Sequence, residues 1–454
     1  MATIGIVMAA GKGTRMKSDL PKALHSVCGR PMLGYVLKAL EGAGAAPCII
    51  VVGHKEELVR SAFGDQYFYA RQEQQLGTGD AARQAVPHLP ESGTVLIAPG
   101  DAPLITSEAI QEMLGKHRTE NASLTLAAVT LENPTGYGRV VQEPGRLRIV
   151  EEKDATPEER QITHCAASFY AVEASALRVG LSKLSDDNAA REFYLTDIVA
   201  ILSQMGEKVV TWDCRHPELL MGVNDRWELA QATKTLYRRI AKRHAINGAT
   251  IIDPDTAYIE DDIEIGADTV IYPNSHLRQG VRIGARCEIG PDVVIAKARI
   301  GDDCRVQRSN VIDSELESDV WVGPFSNVRP GCLLKSGSRI GAFVEVNRSV
   351  IGRGAKAVHL AYLGDAILGE GVNIGAGTIT CNFDGKHKNQ THIGDDAFVG
   401  SNSTLIAPVN IAPNSYIAAG SAITDDVPEG ALGIGRGRQV NKEGWVQKRN
   451  RSDE

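Results

Sequence analysis

Ile393-Gly394-Asp395-Asp396-Ala397-Phe398-Val399-Gly400 is answered further along the chain by Ile411-Ala412 and Ile417-Ala418. In both pairs an aliphatic residue precedes a small one, and the small residues stand six apart. The same grammar fills the chain from about residue 248: Gly266 and Gly284 lie 18 apart with Gly290 six further on, Gly323 and Gly341 are again 18 apart, and Gly369 and Gly375 are six apart. Six residues make one short strand and a turn, and three such units return the chain to its starting face. The pattern predicts a triangular parallel β-helix with aliphatic side chains stacked inside and small residues at the corners. A glycine-rich linker would not keep aliphatic residues in phase. An aromatic content of 5% suits a prism too narrow for many rings. Breaks in the phase near 302–318 and 352–368 predict looped excursions. Beyond Arg438 the tail is polar apart from Trp445, and is expected to fold over a neighbouring subunit or to remain mobile.

The first half has a different rhythm. Strand patterns at 4–8, 48–53 and 94–98 alternate with helical patterns such as 31–42 and 77–86. That alternation predicts a mostly parallel sheet covered on both faces, with ligands beyond the carboxyl ends of its strands. The fold class is therefore α/β over 1–226, a linker helix at 227–247, and a β-helix domain with a C-terminal tail over 248–454.

Composition narrows the function. A net charge of -7 argues against a general nucleic-acid binder or a partner of anionic membranes. No run of about 18 apolar residues is present, so membrane insertion is not expected. Eight cysteines stand singly, at 28, 48, 165, 214, 287, 304, 332 and 381, which argues against a disulfide framework or a zinc site. Reduced thiols and a cytoplasmic location are expected.

Chemistry-bearing residues cluster at predicted strand ends. The strand Ile4–Met8 opens into Ala9-Ala10-Gly11-Lys12-Gly13-Thr14-Arg15-Met16, and Leu20-Pro21-Lys22 follows. Small residues let backbone N–H groups approach an anion, and Lys12, Arg15 and Lys22 supply charge for a polyphosphate. The loop is neither Gly-x-Gly-x-x-Gly nor a Walker loop. It resembles the signature loop of sugar-nucleotide pyrophosphorylases. Asp101, in Gly100-Asp101-Ala102-Pro103-Leu104, reads either as a metal-binding carboxylate or as a helix N-cap. Thr78, in Gln75-Leu76-Gly77-Thr78-Gly79, reads as a helix cap as well as a ligand contact.

From Ala9 to Trp445 the motifs together resemble the family of bifunctional N-acetylglucosamine-1-phosphate uridyltransferase/glucosamine-1-phosphate N-acetyltransferases. The resemblance implies UTP and acetyl-CoA as substrates, Mg²⁺ as cofactor, and a homotrimer assembled through a left-handed β-helix. It also implies a product that feeds peptidoglycan and lipopolysaccharide synthesis. Carried over residue by residue, it implies that Ala9, Ala10, Gly11, Lys22, Gln72, Gly77 and Thr78 bind the nucleotide, with Arg15 and Lys22 catalytic. Gly138 and Glu151 would bind the sugar, and Asp101 and Asn224 the metal. In the second half it implies His359 as the base that deprotonates the acceptor amine, with Glu345 orienting or tuning it. Arg329, Tyr362 and Asn373 would hold the amino-sugar phosphate. Ala376, Asn382, Phe383, Ser401, Ala419 and Arg436 would line the acetyl-CoA site, with Asn382 also reaching the sugar.

Four segments depart from the family's pattern. Asp80 stands where a histidine is usual, and Ala166-Ala167-Ser168 where the family reads Asn-Thr-Gly. Asn347 replaces a phosphate-binding lysine, and Phe383 a tyrosine. Together they favour sugar-1-phosphate uridylyl transfer over a fixed choice of sugar, and predict weaker acceptor binding in the second half. A single-activity nucleotidyltransferase with the β-helix kept as a trimerising scaffold is the competing expectation.

Overall fold

The computed structural model describes residues 2–143 and 145–450. The chain forms two compact units, Met1–Leu236 and Tyr237–Glu454, and the helix Arg226–Ile246 runs across that boundary.

In the first unit the strand Thr3–Met8 is central. It pairs in parallel with Ala45–Val52 on one side and Thr94–Pro99 on the other. Phe68–Arg71 extends the sheet beyond Ala45–Val52, while His164–Glu173, Leu124–Thr130 and Val209–Asp213 extend it beyond Thr94–Pro99. His164–Glu173 runs antiparallel to both its neighbours. Side chains alternate across the pleat. Val7, Ile50, Val52, Leu96 and Ala98 pack with Leu33, Leu37, Ile110 and Met113 of helices Met32–Gly42 and Ser107–Thr119. Ile4, Ile6, Ile49, Val51 and Ile97 pack on the other face with Ala81, Leu177, Ile198 and Leu202 of helices Thr78–Gln84, Ala174–Ser182 and Asp197–Gln204. A sheet buried on both faces reads as near-continuous apolar strands, which is why Ile4–Met8 and Cys48–Val52 stand out in the sequence. From Thr3–Met8 the chain turns first to one side of the sheet and later to the other. The carboxyl end of this strand is therefore the switch point where a crevice opens.

The second unit is a three-sided parallel β-helix. Its sides are stacks of short strands, such as Val270–Ile271 on Glu288–Ile289, Ser275–Leu277 on Val293–Ala296, and Glu264–Ile265 on Arg282–Ile283. Ile271, Ile289, Val306, Val322, Ile340, Ile374, Val399 and Ile417 form one fully buried internal column. Burying each such side chain contributes about 1.5–3 kcal/mol relative to exposure.

The recurring glycines have a geometric cause. A side chain at Gly266 would overlap the backbone of Gly284, one at Gly352 that of Gly369, one at Gly375 that of Ser401, and one at Gly400 that of Ala419. Each lies where the next coil crosses, so glycine repeats with the coil. The corners differ from the expectation of small residues. Many hold non-glycine residues at positive φ, among them Asp268, Asp292, Asp303, Asp319, Phe325, Phe343 and Leu360. Short polar side chains tolerate this region through local hydrogen bonds; the aromatic ones do so at a cost of about 1–2 kcal/mol each.

The expected excursions at 302–318 and 352–368 are not loops. Strand partners there lie closer in sequence: Arg282 pairs with Arg299 at a spacing of 17, Arg299 with Glu315 at 16, and Val350 with Ile367 at 17, against 18 for Glu264 and Arg282. A corner shortened by a residue or two breaks the glycine phase as an insertion would. The insertion lies elsewhere, between Ala366 and its partner Thr391 at a spacing of 25. The extra residues form a loop at 382–390 closed by a Phe383–Lys388 bridge. None of the eight cysteines is held in a disulfide. Among the described residues no helix is long and apolar enough to cross a membrane.

Two glycines of one coil test this account. Gly352→Ala should lower the unfolding temperature of the β-helix in a calorimetric scan by the equivalent of about 3 kcal/mol, because the methyl meets the Gly369 carbonyl. Gly354→Ala, at φ +66 with open space around it, should cost only about 1 kcal/mol.

Candidate active sites

In the first unit three distant segments meet at the switch point. Met8, Ala9, Gly11, Thr14, Arg15 and Lys22 line a cleft with Gly100, Asp101 and Asn224. Lys22 Nζ donates to Asn224 Oδ1 at 2.9 Å and forms an ion pair with Asp101. Arg15 Nη2 donates to the same Asn224 oxygen at 2.8 Å. The Val223 N–H bonds the Asp101 carbonyl at 2.8 Å, joining the two acidic-side segments. Asp101 is not a helix cap: Thr106 caps Ser107–Thr119, its hydroxyl accepting from the Ala109 N–H. Asp225 caps the following helix by accepting from the Trp227 and Glu228 N–H groups, and Glu228 reaches back to the Asn224 N–H at 2.6 Å. Asn224 is thus held from both sides, with its amide oxygen turned to the cations.

Ala9 and Ala10 sit at the strand end. The Ala9 N–H bonds the Val51 carbonyl, and the Ala10 carbonyl accepts from Gln75 Nε2 at 2.8 Å. Gln72 is buried, and its Nε2 donates to the Gly77 carbonyl at 3.0 Å and to Asp80 Oδ2 at 2.8 Å. Gly77 has φ +112, and a side chain there would run into the Phe193 backbone. Thr78 does not cap its helix; its hydroxyl accepts from the Leu195 N–H at 3.0 Å. It ties the segment to the chain near Thr196.

Gly138 and Glu151 lie against one another. A side chain at Gly138 would meet Ile149 at 2.7 Å and the Glu151 carboxylate at 3.6 Å. Thr196 Oγ1 donates to Glu151 Oε1 at 2.8 Å. Burial pushes the Glu151 carboxyl above its usual range, outweighing that hydrogen bond. Burial, with the Glu151 charge second, pushes Asp197 up to about 6. Ala166 is buried, its N–H on the Gly138 carbonyl at 2.8 Å, so a methyl occupies the place of the family's asparagine side chain. Ser168 takes φ +58 where the family has glycine. Thr196 had no signal in the sequence, since it reaches Glu151 across 45 residues.

In the second unit His359 lies on the long strand Lys356–Gly364, opposite Ala342, and is exposed. It is not on a loop. The strand bends at Leu360, whose φ is +29, and this corner presents the imidazole. Glu345 does not orient His359. Its two oxygens accept from Arg329 Nη1 at 2.9 Å and Asn327 Nδ2 at 3.4 Å, and it stands level with Tyr362. Arg329, Glu345 and Tyr362 thus share one side of the prism. Asn373 is on another side, between Lys356 and Phe398.

Ala376, Ser401 and Ala419 follow one corner through successive coils. The Ala376 carbonyl accepts from the Asn402 N–H and the Ser401 carbonyl from the Gly420 N–H, at 2.7 and 2.8 Å. Arg436 Nη1 reaches the Ala419 carbonyl at 2.7 Å. Phe383 sits on the inserted loop, with Lys388 Nζ 4.4 Å above its ring. Asn382, buried at the loop's root, bonds Asp365, which takes a bidentate pair from Arg348 at 2.7 Å for each bond. The Arg348 pair holds the Asp365 carboxyl below its usual range. Arg348 therefore does not replace the charge missing at Asn347; it anchors the loop. Its spacing of 17 from Asp365, one coil, is the signal that could have revealed the pair.

Comparison with known proteins agrees with both halves. A family model described as MobA-like NTP transferase domain matches residues 5–194. One described as bacterial transferase hexapeptide (six repeats) matches 262–297 and 390–425. The "Bifunctional protein GlmU" of Caldanaerobacter subterraneus subsp. tengcongensis is 47% identical over 98% of this chain and 98% of its own. That of Pelobacter propionicus is 48% identical over 97% of each, and that of Carboxydothermus hydrogenoformans 46% over 98% of this chain and 100% of its own. A crystal structure of UDP-glucose pyrophosphorylase complexed with UDP-glucose covers 53% of this chain at 17% identity and a TM-score of 0.43, a likeness too weak to carry an argument.

A Rossmann-like nucleotidyltransferase unit followed by a left-handed β-helix of hexapeptide repeats defines a fused nucleotidyl- and acyltransferase. The chain belongs to the family of bifunctional protein GlmU. It is a bifunctional enzyme that makes UDP-N-acetylglucosamine, by acetyl transfer from acetyl-CoA to glucosamine 1-phosphate and uridylyl transfer from UTP to N-acetylglucosamine 1-phosphate.

The raised Asp197 carboxyl predicts a pH effect. Between about pH 4 and its folded value of about 6 the folded unit holds a proton that the unfolded chain releases. This group's contribution to stability therefore falls as pH rises through that window. Asp197→Asn should raise the melting temperature at pH 7.5 and flatten the change between pH 4 and 6, as read by thermal denaturation across pH.

Proposed function

We propose that the residues gathered at the switch point carry uridylyl transfer and that His359 carries acetyl transfer. The observation that supports the first assignment is the meeting of Lys22, Asp101 and Asn224 from three segments remote in sequence. Backbone N–H groups of Ala9–Gly11 would receive the triphosphate, and Lys22 and Arg15 would offset the charge that builds at the α-phosphorus. Gln72, Gly77 and Thr78 would receive the uracil. Glu151 would accept from a sugar hydroxyl, backed by Gly138.

The residues present suit Mg²⁺. A carboxylate and an amide oxygen already share one cation, the Lys22 ammonium, so two hard donors converge on one point. Among the described residues no three His, Cys, Asp or Glu side chains form a metal cage. Asp101 and Asn224 would hold Mg²⁺ together with substrate phosphates. Bound there, the ion would neutralise phosphate charge. Lys22 would then be free to turn to the phosphate oxygens.

In the β-helix the exposed imidazole of His359 is suited to take the proton from the acceptor amine as it attacks the thioester. The Ala376 N–H would face the developing oxyanion, and Arg436 a CoA phosphate. Arg329, Tyr362 and Asn373 would hold the amino-sugar phosphate. Asn382 and Phe383, on the inserted loop, and Ser401 and Ala419, on the corner, would flank the acyl donor. His359 stands on an open corner of a single prism, which supports a homotrimer in which a second copy closes the groove. With the methyl of Ala166 and the uncharged Asn347, each sugar site has one polar contact fewer than the family's pattern. A cytoplasmic enzyme supplying precursor for peptidoglycan and lipopolysaccharide fits this reading.

Separate assays of the two reactions test the assignment. His359→Ala should lower acetyl-CoA-dependent thiol release at least about a hundredfold and leave pyrophosphate release from UTP and N-acetylglucosamine 1-phosphate intact. Asp101→Asn should do the reverse. A loss of both activities from either change would argue against the division.

A further inference from the structure

We propose that Asp80 is a positioning residue that fixes Gln72 as a pure hydrogen-bond acceptor, and so makes the nucleotide site select a uracil-type base over a cytosine-type base. The proposal deepens the reading that Gln72 faces the pyrimidine, and rests on it.

The amide orientation follows from its partners. Gln72 Nε2 lies 3.0 Å from the Gly77 carbonyl and 2.8 Å from Asp80 Oδ2. A carbonyl and a carboxylate can only accept, so the side of the amide facing them is the NH₂ group. Turning the amide over would set its oxygen against two other oxygens in a nearly buried position. Both N–H groups are used, and Oε1 has no partner among the described residues.

Asp80 is itself held. Its Oδ1 accepts from Gln84 Nε2 at 3.4 Å, one turn along the helix Thr78–Gln84. The Gly77 carbonyl is fixed by the φ of +112 and the Phe193 backbone beside it. A histidine at position 80, as in the family's usual pattern, could present either a donor or an acceptor to Gln72. The carboxylate removes that choice.

The consequence lies in the base edge. Uracil carries N3–H, a donor that an amide oxygen accepts. Cytosine carries a lone pair at N3, which an amide oxygen repels, whereas an amide turned over would donate to it. A carboxylate at position 80 therefore favours the first base and opposes the second by the same contact.

The test is the ratio of kcat/KM for UTP to that for CTP, with N-acetylglucosamine 1-phosphate as acceptor, for the wild type, Asp80→Asn, Asp80→Ala and Gln72→Ala. In Asp80→Asn the new amide can donate to Gln72 Oε1, so only the Gly77 carbonyl still opposes turning Gln72 over. The ratio should fall by about tenfold, chiefly by a gain with CTP. Asp80→Ala should move the ratio the same way. Gln72→Ala should lower kcat/KM for UTP and collapse the ratio. Acetyl transfer by the same chain reports folding, and a purely structural defect would lower both nucleotides equally and leave the ratio unmoved. An unchanged ratio in both Asp80 variants, with a collapsed ratio in Gln72→Ala, overturns the role of Asp80 while leaving Gln72 as the base reader. An unchanged ratio in Gln72→Ala overturns the underlying reading, and the inference with it.

Discussion

The parallel backbone ladder sets the terms for both units. Neighbouring strands lie about 4.8 Å apart, and a parallel pair cannot be joined by a tight turn. In the first unit the connections are helices, which cover both faces of the sheet and leave only the strand ends open. In the second they are corners, and the spacing brings each coil's backbone onto the next. A glycine such as Gly266 or Gly352 is then required by the carbonyl or amide above it. The hydrophobic column from Ile271 to Ile417 is a result of the same stacking, since residues one coil apart must lie on one line.

Functional groups collect where the ladder ends or is disturbed. Met8 stands level with Val51 and Pro99, so the loops that follow these strands are delivered to one place. Ala9–Lys22 and Gly100–Asp101 meet there because their strands are neighbours, and Asn224 joins them through the Val223–Asp101 backbone bond. In the β-helix the disturbance is the inserted loop at 382–390. A loop of that length on a rigid prism needs an anchor, and Arg348, Asp365 and Asn382 supply one across two coils. His359 gains its exposure from the corner at Leu360, which turns a continuous strand from one side of the prism to the next.

The electrostatics divide along the same lines. At the switch point cations face oxygen donors that converge on Lys22. Burial pushes the Glu151 and Asp197 carboxyls above their usual range, and the Glu151 charge adds to the shift at Asp197.

What the sequence alone determined was whatever has a period or a compact motif. Apolar strands buried on both faces marked the α/β unit, and glycines locked to the coil marked the β-helix. Clustered motifs named Lys22, Asp101 and His359, because phosphate loops and strand ends are local. The tertiary structure decided what depends on distance in space or on the sign of a phase shift. A shortened corner and an inserted loop break the repeat alike, so only pairing showed that 302–318 and 352–368 are short coils and that the insertion follows Cys381. The motif offered Glu345 to His359, whereas hydrogen bonding and register gave it to Arg329. Thr196 beneath Glu151 and Asp80 behind Gln72 acquired their roles from hydrogen bonds whose directions no linear pattern encodes.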